Sequence, residues 1–162
     1  MTDKPVIAAV GVGRMGVGLA HVFTYAGHEV RLLDVKEREP GEFAVLEARA
    51  LADISRTVGL MATLGRINQR DIDAMMSRIT IHPLDKATDA LSSVPLIFEG
   101  VPEVLDAKER AFAITCKHAD QDAIIASTTS TIMVDELAAF ITGRERFLNA
   151  HWLNPAFLIP LV

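Results

Sequence analysis

Val6-Ile7-Ala8-Ala9-Val10-Gly11-Val12-Gly13-Arg14-Met15-Gly16 is the stretch that decides the fold. Val6 to Val10 is a short apolar run that stops at glycine, the pattern of a strand buried on both faces of a parallel sheet. From Met15 the apolar residues Leu19, Val22, Phe23 and Ala26 recur at helical spacing, and Gly27 supplies a C-terminal stop. Val30 to Leu33 returns to strand. Strand, glycine turn, helix and strand in this order make a βαβ unit, whose crossover is right-handed in nearly all proteins.

Past Asp34, a polar stretch with Pro40 and Gly41 leads into a long helical pattern carried by Phe43, Leu46, Ala50, Ile54 and Val58 and extending towards Leu64. Asn68 reads as the N-cap of a shorter helix through Ile72, Met75 and Met76, so the two form a helical hairpin. Strands are predicted at Ile79 to His82, Leu96 to Glu99, Ala123 to Ser127 and Phe147 to Ala150, with helices between Leu105 and His118 and between Met133 and Phe140. This alternation predicts an α/β fold: a Rossmann-type, doubly wound, mostly parallel sheet with a helical hairpin insertion, in one domain over residues 1–162.

Composition narrows the function classes. Half of the 162 residues are hydrophobic and 23% are charged, an ordinary globular balance. A net charge of −5 argues against a broad nucleic-acid surface, which needs clustered Lys and Arg, so any anionic ligand must be held locally. Cys116 is the single cysteine, which excludes an intrachain disulfide and a multi-cysteine zinc site; it reads as buried packing, and no metal is expected. Neither a targeting leader nor an apolar run of membrane-spanning length is visible, so a cytoplasmic protein without membrane partners is expected.

Gly11-Val12-Gly13-Arg14-Met15-Gly16 fits Gly-x-Gly-x-x-Gly in the context that gives the pattern meaning, after a strand and opening a helix. Gly11 allows the tight turn, Gly13 lets phosphates approach the backbone, and Gly16 allows the helix to pack close to the strand. Arg14 and Met15 then stand at the helix start, where N–H groups and the helix dipole favour a pyrophosphate. Asp34 ends the second strand about 20 residues beyond, where a carboxylate accepts hydrogen bonds from the adenosine ribose hydroxyls. NAD is therefore the expected cofactor, because a 2′-phosphate would be repelled; Lys36 and Arg38, close behind, could soften that discrimination.

Three further segments, in order, resemble the 3-hydroxyacyl-CoA dehydrogenase family. Phe98-Glu99-Gly100-Val101-Pro102-Glu103, followed by Lys108, is similar to the family segment whose Glu and Lys face the nicotinamide half of the cofactor; the resemblance assigns those roles to Glu103 and Lys108. Taken singly, Glu103 reads as a helix-start carboxylate favoured by the dipole and Lys108 as a surface lysine. Ala126-Ser127-Thr128-Thr129-Ser130-Thr131 resembles the family's Ala-Ser-Asn-Thr-Ser-Ser loop, which puts Ser130 on the serine that contacts the substrate's 3-oxygen and Thr128 in place of the usual Asn. On its own the loop reads as a Ser/Thr-rich helix cap. His151-Trp152-Leu153-Asn154-Pro155 resembles the family's His-Phe-x-Asn-Pro segment, which makes His151 the catalytic base. Imidazole suits that task near neutral pH. His21, His28, His82 and His118 have no comparable setting and read as structural or solvated.

The family continues from Leu-Val to a Glu that orients the histidine and then to a helical domain that covers the substrate and forms a dimer interface. Here Leu161-Val162 end the chain, so a cofactor-binding portion is expected, with a homo-oligomer as the assembly and an apolar tail from Phe157 as a further contact surface. Three functions remain open at this point. The first is NAD-dependent oxidation of (S)-3-hydroxyacyl-CoA to 3-oxoacyl-CoA. The second keeps the chemistry but takes a free 3-hydroxy acid of the carnitine or gulonate type, because residues 41–59 offer Glu42, Glu47 and Asp53 against Arg49 and Arg56, a poor platform for nucleotide phosphates. The third is a non-catalytic NAD-binding module.

Overall fold

The computed structural model describes residues 4–153; Asn154-Pro155 and the apolar tail to Val162 lie outside the described residues. Six strands, β1 (Ile7–Val10), β2 (Val30–Leu33), β3 (Ile79–His82), β4 (Leu96–Glu99), β5 (Ile124–Ser127) and β6 (Phe147–Asn149), form one sheet in the order β3-β2-β1-β4-β5-β6. Every neighbouring pair is parallel. This is the doubly wound Rossmann arrangement. The strand order reverses between β1 and β4, which opens a crevice at the carboxyl ends of these strands.

Alternation along β1 shows how the two layers are built. Ile7 and Ala9 pack with Leu19 and Ala20 of α1 (Arg14–Tyr25), Ile54 and Val58 of α2 (Pro40–Thr63), and Met75 of α3 (Gln69–Met76). Ala8 and Val10 pack on the other face with Ala90 and Leu91 of α4 (Ala87–Leu91) and Ala111 of α5 (Leu105–His118). Successive side chains of a strand point to opposite faces, so one four-residue strand serves two cores. A third cluster, Phe112, Ile125, Leu137 and Ile141, places α6 (Val134–Ala138) against the β5 end of the sheet.

The helical hairpin is present as expected. Pro40 opens α2, and Asn68 caps α3 reciprocally with Asp71: the Asp71 N–H donates to Asn68 Oδ1 at 3.1 Å and the Asn68 N–H to Asp71 Oδ2 at 2.8 Å. Two short elements depart from expectation. A single 3₁₀ turn at Leu84–Lys86 and the five-residue α4 fill the β3–β4 connection, where the sequence shows too few residues for a helical period to emerge. The predicted Met133–Phe140 helix shortens to α6. Cys116 is half-buried at the third cluster rather than fully enclosed. Among the described residues no helix is long and apolar enough to cross a membrane.

Candidate cofactor and active site

The glycine loop joins β1 to α1 at the switch point. Gly11 has φ +111°, a conformation that L side chains rarely adopt, and a Cβ at Gly16 would lie 2.0 Å from the Gly11 carbonyl oxygen. The loop and the first turn of α1 are thus in direct backbone contact. Gly13 differs: a Cβ there would meet nothing within 4 Å. It is the N-cap residue of α1, which has neither a side-chain cap nor an acidic residue in its first turn. Open space, free helix-end N–H groups and an uncompensated dipole are the features a pyrophosphate needs, so the residues present fit a dinucleotide.

Asp34 follows β2, beside the loop. It is 4% exposed, and its N–H donates to the His82 carbonyl at 2.9 Å, extending the sheet by one residue. The Arg38 guanidinium pairs with Oδ2, and the Lys36 backbone N–H approaches Oδ1 at 3.4 Å. Arg38 therefore orients this carboxylate. Lys36 contributes its backbone to the contact.

Beneath the loop, His21 of α1 is buried, with Nε2 2.9 Å from Met61 Sδ of α2. Burial lowers its pKa to about 4, so the imidazole is neutral near pH 7. His21 lines a cavity of about 450 Å³ between α1 and α2, together with Gly13, Arg14, Arg49 and Asp53.

Across the switch point the loops are held by charged side chains. Lys108, on α5, is fully buried and donates to both oxygens of buried Glu99 at 2.9 Å, while Glu103 Oε2 lies 3.4 Å from its ammonium. Lys108, which the family resemblance assigns to the nicotinamide side together with Glu103, is not the surface lysine it would be if taken singly: it shares the buried stripe of α5 with Ala111, Phe112 and Thr115. Its side chain is sealed in, so its influence passes through the two carboxylates. Glu103 is partly open. Its Oε1 accepts the N–H groups of Ser130 and Thr131, each at 2.9 Å, and the Thr129 hydroxyl. Burial alone would raise the Glu103 pKa, but the Thr129 hydroxyl, the Thr131 and Ser130 N–H groups and the Lys108 ammonium together pull it down to about 2.

Ser130 Oγ lies 2.8 Å from His151 Nε2. Two features place the histidine: the Ala150 N–H donates to the Ser127 carbonyl at 2.8 Å, and the Trp152 ring packs edge-on against Phe23 and Phe98, with centroids 5.9 and 6.1 Å apart. Serine and histidine thus come from the ends of neighbouring strands β5 and β6. Gly11, Gly13, Arg14, Met15, Gly16, Asp34, Glu103, Ser130 and His151 all fall on loops or helix starts that follow strands of the one sheet. Glu99, Ser127 and Thr129 join the site without having been singled out in the sequence. A carboxylate ending the apolar run Leu96-Ile97-Phe98 was the available signal for the first of them.

Comparison with known proteins agrees with this architecture. The family model for the 3-hydroxyacyl-CoA dehydrogenase NAD binding domain matches residues 6–162. A 3-hydroxybutyryl-CoA dehydrogenase of Bradyrhizobium diazoefficiens is 31% identical over 157 residues, 96% of this chain and 50% of that protein. The 5-formyl-3-hydroxy-2-methylpyridine 4-carboxylate 5-dehydrogenase of Mesorhizobium japonicum is 30% identical over 96% of this chain and 47% of its own length. Among solved structures, Mycobacterium tuberculosis FadB2 superposes with a TM-score of 0.84 at 29% identity, covering 95% of this chain and 51% of that one. The chain spans about half the length of these relatives. A glycine loop open at Gly13, the buried carboxylate of Asp34 at the end of the neighbouring strand and a match over nearly every residue place the chain in the 3-hydroxyacyl-CoA dehydrogenase family, as its NAD-binding domain.

Proposed function

We propose that the protein containing this domain interconverts (S)-3-hydroxyacyl-CoA and 3-oxoacyl-CoA. The 2.8 Å contact between Ser130 Oγ and His151 Nε2, at the same end of the sheet as the glycine loop and across the switch point from it, carries the reading. Two polar atoms that close can both engage one substrate oxygen. His151 Nε2, unprotonated, accepts the hydroxyl proton of the alcohol, and returns it to the carbonyl oxygen in the reverse direction. Ser130 hydrogen-bonds the same oxygen and fixes the carbon that bears it. Bound NAD supplies the hydride acceptor for that carbon. Gly13 and the α1 N-terminus bind the pyrophosphate, Asp34 the adenosine ribose, and Glu103 holds the loop that carries Ser130 beside the nicotinamide half. Because the relatives are about twice as long, we assign the covering of the substrate to chain beyond this domain.

A second reading keeps the site and changes the substrate to a free 3-hydroxy acid. It is favoured by α2, where Arg56 pairs with Asp53 and leaves few cations for a nucleotide phosphate, and by a relative whose name specifies a pyridine carboxylate. One experiment separates these readings. A version extended to the relatives' length is assayed with acetoacetyl-CoA and NADH, and in parallel with free 3-hydroxy acids and NAD. The CoA arm should turn over, and His151→Ala should lose about 100-fold or more. Turnover only in the free-acid arm selects the second reading. Full activity of His151→Ala would overturn both, and NAD binding without turnover in either arm would leave a binding module.

A further inference from the structure

The ion pair of Glu99 and Lys108 lies wholly inside the protein, with both residues fully buried. Replacing such pairs with apolar side chains is often neutral or stabilising, so stability alone does not account for one. Its geometry points elsewhere. Glu99 Oε1 accepts the Val101 N–H at 2.8 Å and the Lys108 ammonium at 2.9 Å; Oε2 accepts Lys108 at 2.9 Å and the Ser127 hydroxyl at 2.6 Å. Ser127 Oγ in turn accepts the Thr129 N–H at 3.2 Å, and the Thr129 hydroxyl donates to Glu103, which returns to Lys108. The contacts close into a ring: Lys108, Glu99, Ser127, Thr129, Glu103 and back to Lys108. It ties together the turn after β4, the buried side of α5 and the loop after β5.

We propose that Glu99 and Ser127 are positioning residues for Ser130, acting through this ring. Glu103, held between Lys108 and Thr129, presents Oε1 to the backbone N–H groups of Ser130 and Thr131, and the Ser130 hydroxyl reaches His151. The Ser130 backbone is thereby fixed from inside the protein, while its hydroxyl faces the site. A catalytic group held by such supports stays within about 0.5 Å of its working position, which an exposed Ser/Thr loop alone would not secure. The consequence for turnover rests on the role given to Ser130 and His151 above, whereas the ring itself does not.

The test uses native-state amide exchange of the 162-residue chain, read residue by residue by NMR, in Ser127→Ala, Glu99→Gln and an Ile54→Val control in the core on the α2 face. Ser127→Ala removes one hydroxyl and no charge, so it decides the matter even where Glu99→Gln fails to fold. The expected result is exchange at Ser130 and Thr131 about tenfold faster in Ser127→Ala, with the glycine-loop amides unchanged and no selective acceleration in the control. In the extended enzyme the same change should lower kcat about tenfold while KM for NAD moves less than about twofold. Exchange at Ser130 and Thr131 that follows global stability equally in Ser127→Ala and the control would overturn the proposal. The exchange result stands whether or not His151→Ala abolishes turnover, so failure of the assigned reaction and failure of the ring are read separately.

Discussion

The two sides of the switch point build their halves of the site by opposite means. On the β1–β2 side, the loop is made of backbone and missing side chains: Gly11 at positive φ, Gly16 in contact with the Gly11 carbonyl, and Gly13 open to solvent. On the β4–β5 side, the loops are made of charges, with one buried ammonium shared by two carboxylates that hold the Ser130 segment. The first arrangement suits a large anion, which needs N–H groups and room. The second suits a reacting carbon, which needs a few polar groups held still. A dinucleotide fixed on one side and a substrate oxygen on the other would meet along the crevice between them.

That contrast also explains what the sequence revealed. The glycine loop is local: strand, Gly-x-Gly-x-x-Gly and helix lie within one short stretch, and each glycine's task follows from its place in it. The parallel sheet, the hairpin and the Asn68 cap were legible for the same reason. The ring joins residues far apart in the chain, Glu99 to Ser127 and Glu103 to Thr129, and no local pattern signals it. Lys108 reads as one more charge in Asp106-Ala107-Lys108-Glu109-Arg110, although its spacing from Ala111, Phe112 and Thr115 puts it on the buried stripe. The family resemblance supplied Glu103, Lys108, Ser130 and His151, but Glu99 entered only with the fold. The α4 helix was missed because five residues cannot display a helical period.

The largest effects should come from breaking each side in its own way. Lys108→Met leaves Glu99 buried without its cation and should cost about 3–5 kcal/mol in urea unfolding; adding Glu99→Gln should recover a large part. Gly16→Ala drives a Cβ onto a backbone oxygen, not a movable side chain, and should cost about 1–3 kcal/mol. A Lys108→Met variant of wild-type stability would remove the charged half of the comparison.

Acid should separate the two sides further. His21, under the glycine loop, has its folded pKa lowered to about 4 from 6.5, so the folded state resists protonation and stability falls as pH drops from about 6.5 to 4, by about 3 kcal/mol in all. Glu103 has a folded pKa of about 2 against 4.5, so its contribution is complete above about 4.5 and is lost as pH falls towards 2. With its side chain 35% exposed, solvent screening reduces this second loss to about 1 kcal/mol. His21→Leu should flatten the upper window and Glu103→Gln the lower one, measured by urea unfolding across pH. Slopes unchanged by either substitution would show that other groups set the acid response.

The smallest expected effect on stability falls on the residue to which we assign the pyrophosphate contact. Gly13→Val points into open space but puts a poorer N-cap residue at the start of α1, and should cost about 0.5–1 kcal/mol. Calorimetric titration of the 162-residue chain and its Gly13→Val variant with NAD and NADP therefore tests the central claim most directly. The wild-type chain should bind NAD more tightly than NADP, because the role proposed for Asp34 is to accept ribose hydroxyls and repel a phosphate, and the folded variant should lose nearly all affinity. Equal or tighter binding of NADP, or unchanged NAD affinity in folded Gly13→Val, would contradict it.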